Sequence, residues 1–496
     1  MTLRPAHCLK HHSHKRSLER RDTAKVIHPQ FLSHIFELFF MDNERKATWI
    51  WYPGDFEVWL GNKFNNRRTE RGVMFPPFWK QDSHWPTVTF TTFLHLEREE
   101  PLHVLSEGHC SIAIDGRLTS AAGCAVPAGS HTLTLKVWNQ LSPPAVFIDG
   151  LGIKTGPGWQ VTCEDKIWID EQGAAHGSGV YVAAAFWHFD SPSTPPSSFR
   201  LPTRPSPPAL PSPLAPGLYD FGRETFGFLR FHGLRGEGAL RVCYGESREE
   251  ALDSDRCETL DTCTVSRDTC ERAAGAPLFG SKAFRYVCID CGGSADYDSL
   301  TVDEEYAPFD TDRSGAFSSS DDELNSIWQV SARTLELTTR EFFTDGIKRD
   351  RWTWSGDAIQ SYLMNYYLHF DTDCVKRTIR QLRGKDPVTT HVNTIMDYTF
   401  YWFISIADYY RYTADIDFLH EIYPRMATLM DFVLPRLDRR HLASAMPGDW
   451  VFVDWADFAM PKRGALCFEQ LLLWKALGSM LSVTALLRRH PAMKGR

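Results

Sequence analysis

From Ala47 to about Phe189, apolar and polar positions alternate in short runs. Trp49-Ile50-Trp51-Tyr52, Phe56-Glu57-Val58-Trp59-Leu60, Val88-Thr89-Phe90-Thr91-Thr92-Phe93 and Thr132-Leu133-Thr134-Leu135-Lys136-Val137-Trp138 are rich in β-branched and aromatic residues, and a Gly or Pro turn arrives about every ten residues. Period two places one side of each strand on a core and the other outside, so residues 47–190 predict a β-sandwich. Residues 191–217 break the pattern with a dense Pro/Ser run, Ser191-Pro192-Ser193-Thr194-Pro195-Pro196 through Leu214-Ala215-Pro216, which predicts a stiff, extended linker. Strand-like text resumes over 218–317 as a second β-sandwich. After Ser318 the period changes. Ser318-Ser319-Ser320-Asp321 offers N-cap residues, and Leu324, Ile327, Trp328, Ala332 and Leu335 then recur at three- and four-residue spacing. Further helices are predicted over 357–369, 372–383, 396–413, 417–437 and 466–488, so residues 318–496 form a helical unit.

The beginning of the chain has neither period. Residues 1–46 mix His7, His11, His12 and His14 with many Lys and Arg, ahead of an apolar stretch from Phe31 to Phe40 that contains His34 and Glu37. No small-residue cleavage site follows, so no signal peptide is expected. The segment reads as a disordered extension, with Met41 as the expected start.

Composition narrows the function classes. A chain of 496 residues is too long for one core and predicts several domains. The net charge of -8 argues against nucleic acid, whose binders need clustered basic surface. No 18-residue apolar run is present, so no membrane span is expected. Aromatic residues reach 13%, with 16 Trp, which suits sugar-ring stacking and well-packed sandwiches alike. Of Cys257, Cys263, Cys270, Cys288 and Cys291 only the last two form a C-x-x-C. They predict buried thiols rather than a metal site, and hence a reducing, cytoplasmic compartment.

Phosphate-loop, dinucleotide, zinc-protease and serine-hydrolase motifs are absent. What stands out is Asp345-Gly346-Ile347-Lys348-Arg349-Asp350-Arg351-Trp352-Thr353-Trp354-Ser355-Gly356-Asp357, between two predicted helices. Exposed loops rarely carry two Trp, and a loop at the mouth of a rigid scaffold is where sites are built. Glycosidic cleavage fits these residues. It needs one protonated carboxyl to donate to the leaving oxygen and one carboxylate across the sugar. Nearby Arg and Lys hold a carboxylate ionised, whereas a carboxyl against Trp is pushed toward the neutral acid.

This segment resembles the Asp-x-x-x-Arg-Asp-Glu-Arg-x-x-Trp-x-Gly-Asp signature of bacterial α-L-rhamnosidases of glycoside hydrolase family 78. Asp220-Phe221-Gly222-Arg223-Glu224-Thr225-Phe226-Gly227, Tyr244-Gly245-Glu246, Gly448-Asp449-Trp450 and Asp454-Trp455 also resemble that family. The resemblance implies β-sandwich domains ahead of an (α/α)6 six-hairpin barrel. It further implies inverting hydrolysis of terminal α-L-rhamnosides, a rhamnose-containing glycoside as partner, and neither cofactor nor metal. Carried over, Asp345 and Asp357 bind sugar hydroxyls, Arg349 orients a carboxylate, and Trp352 and Trp354 offer faces to the ring. The family's usual acid is a Glu after the Arg-Asp pair, but here Arg351 follows Asp350 directly. Asp350 is therefore the first candidate for the general acid and Asp357 the second.

Other residues complete the expectations. Asp449, Trp450, Asp454 and Trp455 form a second acidic-aromatic loop with a sugar-contacting role. Asp397, beside Tyr398, Tyr401 and Trp402, is read as a helix cap, Glu469 as structural, and Arg223 with Glu224 as a surface pair. Six predicted helices are half of what such a barrel needs, so only its first half is expected between Ser318 and Arg496, without the family's later general base. The alternative functions are an inactive carbohydrate-binding remnant and another six-hairpin glycosidase.

Overall fold

A computed structural model describes residues 46–65, 82–119, 124–164, 180–186, 189–310, 312, 314–348, 351–453 and 462–490. Residues 1–45 lie outside this set, and with them the predicted N-terminal extension and start at Met41.

The first unit is a sandwich. Strands Thr87–Leu96, His109–Ile114, Arg117–Thr119, Gly129–Trp138, Gln160–Glu164 and Tyr181–Val182 form a six-stranded sheet. Ile50–Trp51, Leu105–Glu107, Ala145–Phe147 and Ala184–Ala185 form a four-stranded one. The predicted alternation is realised in the register: Phe90 pairs with Leu135 and Val88 with Val137, all buried. Ile50, Val146 and Ile148 meet them from the other sheet. The smaller sheet is covered on both faces, because Trp49, Trp51, Ala145 and Phe147 pack on a second cluster. That double burial is why Trp49-Ile50-Trp51-Tyr52 reads as continuously apolar.

That second cluster is supplied by a helix where a strand was expected. Asp55–Asn65 is helical (α1) and sets Phe56, Trp59, Leu60 and Phe64 against the sheet. Its residues 55–61 are all buried, and a short run buried on every side carries no period that separates strand from helix. Phe64 of α1 also meets Phe342 of the helical unit edge-on at 6.2 Å.

The second unit also departs from expectation. It is a single seven-stranded sheet, with Thr203–Pro205, Ser299–Glu305, Leu218–His232, Lys282–Cys291, Gly238–Gly245 and Thr259–Val265 in that order and Leu210–Pro211 paired to Leu218–His232. Two sheets are unnecessary because Leu218–His232 is 15 residues long, and a register break between Asp220 and Thr225 lets it serve several partners. The helix Arg248–Leu252 (α2) lies beside it, and Ala273 of Arg267–Gly275 (α3) joins its core with Leu229, Val242, Phe284 and Val302. The 191–217 segment is not a free linker, since two of the strands come from it and Leu201 and Ala209 are buried. Proline tolerates such edge positions, where no ladder N–H is demanded. Cys263, Cys270 and Cys291 pack against this core, and Cys257 is fully buried.

Six helices follow among the described residues: Asp322–Thr338 (α4), Ser355–Tyr367 (α5), Thr372–Arg383 (α6), Met396–Thr413 (α7), Ile416–Val433 (α8) and Cys467–Arg489 (α9). Each lies within about a turn of its predicted span. Asp321, Asp371 and Asp415 cap α4, α6 and α8 by accepting backbone N–H groups. The core runs through Tyr362, Ile379, Trp402, Phe403, Leu419 and Leu429. Leu473, Ala476 and Val483 seat α9 on it, while Leu471, Trp474 and Leu481 face outward. By length and composition α9 could cross a membrane, because Glu469 and Lys475 interrupt its apolar run without lowering the mean much.

Candidate active site

The N-terminal ends of α5, α7 and α9 are preceded by loops that interlock. The first loop closes on itself through Asp345. Its carboxylate accepts the N–H groups of Gly346 at 2.8 Å and Trp352 at 3.0 Å, and its own N–H donates to the Trp352 carbonyl at 3.0 Å. The loop is strapped to the seven-stranded sheet. Lys348 pairs with Glu250 and lies 3.7 Å from Glu246. Arg351, at φ 50°, donates to the Ser281 carbonyl at 3.1 Å, and Ile347 packs with Phe226 and Leu337. Arg340 anchors the start of the segment by donating to Glu305 at 2.8 Å, both side chains being buried.

The second loop supplies what the first lacks. Trp354 stands at the N-cap of α5 without capping it. Asn393, at φ 52°, accepts the Ser355 N–H at 3.0 Å and donates to the Thr353 carbonyl at 3.2 Å. Nothing in a single sequence marks this asparagine. The third loop joins by a short parallel bridge: Trp450 donates to the Thr394 carbonyl and Met396 to the Trp450 carbonyl, both at 2.9 Å.

Aromatic rings tie the three loops together. Trp352 and Trp354 are 6.0 Å apart, Trp354 meets Tyr398 edge-on at 6.0 Å, and Tyr398 meets Phe452 at 5.7 Å. The Tyr398 hydroxyl donates to Asp357 at 3.4 Å. Burial, then the charge of Asp357 and, more weakly, those of Asp397 and Asp345, hold this phenol well above its ordinary range, so it remains a donor. Asp357 and Tyr398 are thus joined beside Trp354, and Asp345 lies in the same loop as Trp354, bonded to the Trp352 N–H. An open recess of about 670 Å³ adjoins these loops, lined by Ile395, Ala445, Asp449, Trp450, Val451, Phe452 and Lys462.

The predicted residues divide accordingly. Asp345, Trp352, Trp354, Asp357, Asp449 and Trp450 fall in these loops. Arg349, Asp350, Asp454 and Trp455 lie outside the described residues. Trp352 is only 7% exposed, so it supports Trp354 from behind, whereas Trp450 is 41% exposed. Asp449 is turned to the scaffold. It accepts Arg436 at 2.5 Å and the Met446 N–H at 2.9 Å, and lies 3.8 Å from His391. Burial pushes His391 down to about 4, so the imidazole is neutral at pH 7.

Two expectations are corrected, those for Asp397 and for the pair Arg223 and Glu224. Asp397 does not cap α7: Ile395 holds that position, and the Asp397 carboxylate accepts the N–H groups of Phe452 at 2.7 Å and Val453 at 3.1 Å. Glu469, read as structural, is fully buried in the first turn of α9, beside Asp397. Arg223 pairs with Glu304 at 3.0 Å rather than with Glu224. Burial, then Glu246, pushes Glu224 up to about 8, above the Lys348 strap. Adjacent residues on a strand point to opposite faces, which is why Arg223 and Glu224 do not pair. Among the described residues, no group of three or more His, Cys, Asp or Glu could hold a metal ion.

Comparison with known proteins gives two family matches. Residues 88–289 match the model described as alpha-rhamnosidase-like, bacteroidetes, N-terminal, and residues 312–494 match the bacterial alpha-L-rhamnosidase 6 hairpin glycosidase domain. No curated protein matches the sequence. Among solved structures the chain is similar to the GH78 family rhamnosidase of Bacillus sp. GL1, with 18% identity and a TM-score of 0.44 over 81% of this chain and 50% of that one. It is also similar to a rhamnosidase from Klebsiella oxytoca with rhamnose bound, with 20% identity and a TM-score of 0.46 over 58% of this chain and 66% of that one. A third is the α-L-rhamnosidase of Aspergillus terreus, with 14% identity and a TM-score of 0.44 over 90% of this chain and 59% of that one. The chain thus spans between 50% and 66% of the length of these structures.

Proposed function

Because the chain carries both the α-rhamnosidase-like N-terminal region and the six-hairpin glycosidase domain, and so is of the bacterial α-L-rhamnosidase type, we propose that it hydrolyses terminal α-L-rhamnosides with inversion. The observation that supports this reading is the bond of Tyr398 to Asp357 beside Trp354, in the loop that also holds Asp345, where the loops preceding α5, α7 and α9 interlock. Carboxylates bind sugar hydroxyls, and an indole face suits the apolar C6 methyl of rhamnose. Asp350 is the first choice for the acid that protonates the leaving oxygen, with Asp357 second. Inversion then requires a water activated by a carboxylate on the far face of the sugar.

The test is turnover of an aryl α-L-rhamnoside against an aryl glycoside panel that includes glucosides and glucuronides, with the first-formed anomer read by NMR. Release of the β anomer from the rhamnoside alone supports the proposal. A retained anomer refutes inversion, and preference for a glucoside or glucuronide refutes the substrate. Rhamnose binding without turnover would leave a carbohydrate-binding role.

A further inference from the structure

We infer that Glu469 and Asp397 form a hydrogen-bonded carboxyl pair that positions the Trp450–Val453 segment, a role neither residue has in the reading above. Glu469 lies in the first turn of α9 and is fully buried, and among the described residues neither of its carboxyl oxygens meets a hydrogen-bond donor. A buried carboxylate without donors is strongly unfavourable, and two carboxyls in contact cannot both ionise. Glu469 satisfies itself in the remaining way, as a neutral acid whose O–H donates to the neighbouring carboxyl. That acceptor is Asp397: α9 packs along α7, Asp397 lies in the first turn of α7 and is itself fully buried, and the two side chains are within hydrogen-bonding reach.

Asp397 has lone pairs to share. Its Oδ2 accepts the Phe452 N–H at 2.7 Å and its Oδ1 the Val453 N–H at 3.1 Å. Its place in the first turn of α7 suits an acceptor there. The chain of contacts runs from α9 through Glu469 and Asp397 to the backbone of the third loop. Phe452 then meets Tyr398, which donates to Asp357. Burial, then the bond to Asp397, pushes Glu469 up to about 10, in accord with this geometry. The other groups facing the pair fit a pair that carries one proton. Tyr401 on α7 is held protonated by burial and then by Asp397 and Glu469, while His391 is kept neutral by burial, with Asp449 bound by Arg436 beyond it.

That the positioned loop faces sugar rests on the proposed function; the pair itself does not, and the test separates the two. Infrared difference spectra of the full chain, wild type minus Glu469→Gln, at pH 8 should isolate the C=O stretch of one protonated carboxyl, since Glu224, pushed up to about 8, contributes alike to both. Glutamine still offers Asp397 an N–H, so exchange of the Phe452 and Val453 amides should stay as slow as in the wild type. Glu469→Leu removes the donor, and those amides should exchange about tenfold faster or more. Rhamnose affinity should follow the same order, kept in Glu469→Gln and lost in Glu469→Leu. A missing carboxyl band, or equal protection in both variants, overturns the pair. If band and protection hold but rhamnose binds to no form, the pair stands and only the sugar reading falls.

Discussion

Replacing Arg380 with methionine should loosen the junction between the sandwich and the helical unit, and the cost can be worked from its contacts. Arg380, on α6, is buried. It donates to Glu421 on α8 at 2.6 and 2.8 Å and to Glu57 on α1 at 3.4 Å, with its guanidinium 4.7 Å from the Phe186 ring. Glu421 is 41% exposed at its side chain and can turn to water, but Glu57 is 1% exposed and its second oxygen already finds no donor. The penalty therefore falls on Glu57, and stranding a buried charge in this way costs about 3–5 kcal/mol. In a unit of this size that lowers the melting temperature by on the order of 10 °C. Burial already raises the Glu57 carboxyl above its ordinary range, with Arg380 opposing. A folded-state value above the unfolded one makes stability fall as pH rises out of the ordinary carboxylate range. The Arg380→Met deficit should accordingly be largest near pH 8 and shrink near pH 5, where Glu57 can take up a proton. The assay is thermal unfolding at both pH values, with Glu57→Gln made alone and in the Arg380→Met background. A shift below about 2 °C at pH 8, or strict additivity of the two substitutions, would refute the reasoning.

Other consequences are open to measurement. If Asp350 is the acid, Asp350→Asn should spare rhamnosides with good leaving groups and slow those with poor ones by about 10²-fold or more. Equal losses would assign it to positioning and bring forward Asp357→Asn. Asp55 accepts the Trp85 N–H at 3.0 Å, and burial pushes it up to about 7, so wild-type stability should decline between about pH 4 and pH 7. Asp55→Asn should flatten that decline in unfolding titrations, and an unchanged slope would show that Asp55 does not cause it. Trp450→Ala removes a half-exposed ring, so it should weaken rhamnose binding about tenfold with little change in melting temperature. Unaltered affinity in calorimetry would remove Trp450 from the sugar site.

The helices of the helical unit were legible because several present one apolar face, as α6 does, and several begin at an acidic cap such as Asp321 or Asp415. The almost wholly buried α7 was marked by its length. The strands at 87–96 and 129–138 were legible because one face stays wet. Where burial is complete, that contrast vanishes, as in α1, whose Phe56-Glu57-Val58-Trp59-Leu60 looks the same as a strand and a helix. The 345–357 loop announced itself by composition. Its partners did not: Asn393 acts through backbone groups 38 and 40 residues away, and the Asp397–Glu469 contact spans α7 and α9. Pairings set by the crossing of distant elements leave no local mark, so a buried acid such as Glu469 passes for an ordinary helical residue.

The strap of Lys348 to Glu250 and of Arg351 to the Ser281 carbonyl bears on how such a chain could be inherited or recombined. A helical unit transplanted onto a foreign sheet would arrive with its aspartates intact and their loop untethered. The heritable module is thus larger than the helices alone. It extends back to Ser281, at the head of the strand Lys282–Cys291, and to the short helix that carries Glu250; drift at Glu250 would remove the partner of Lys348, whereas the Ser281 contact is a backbone carbonyl that any residue supplies.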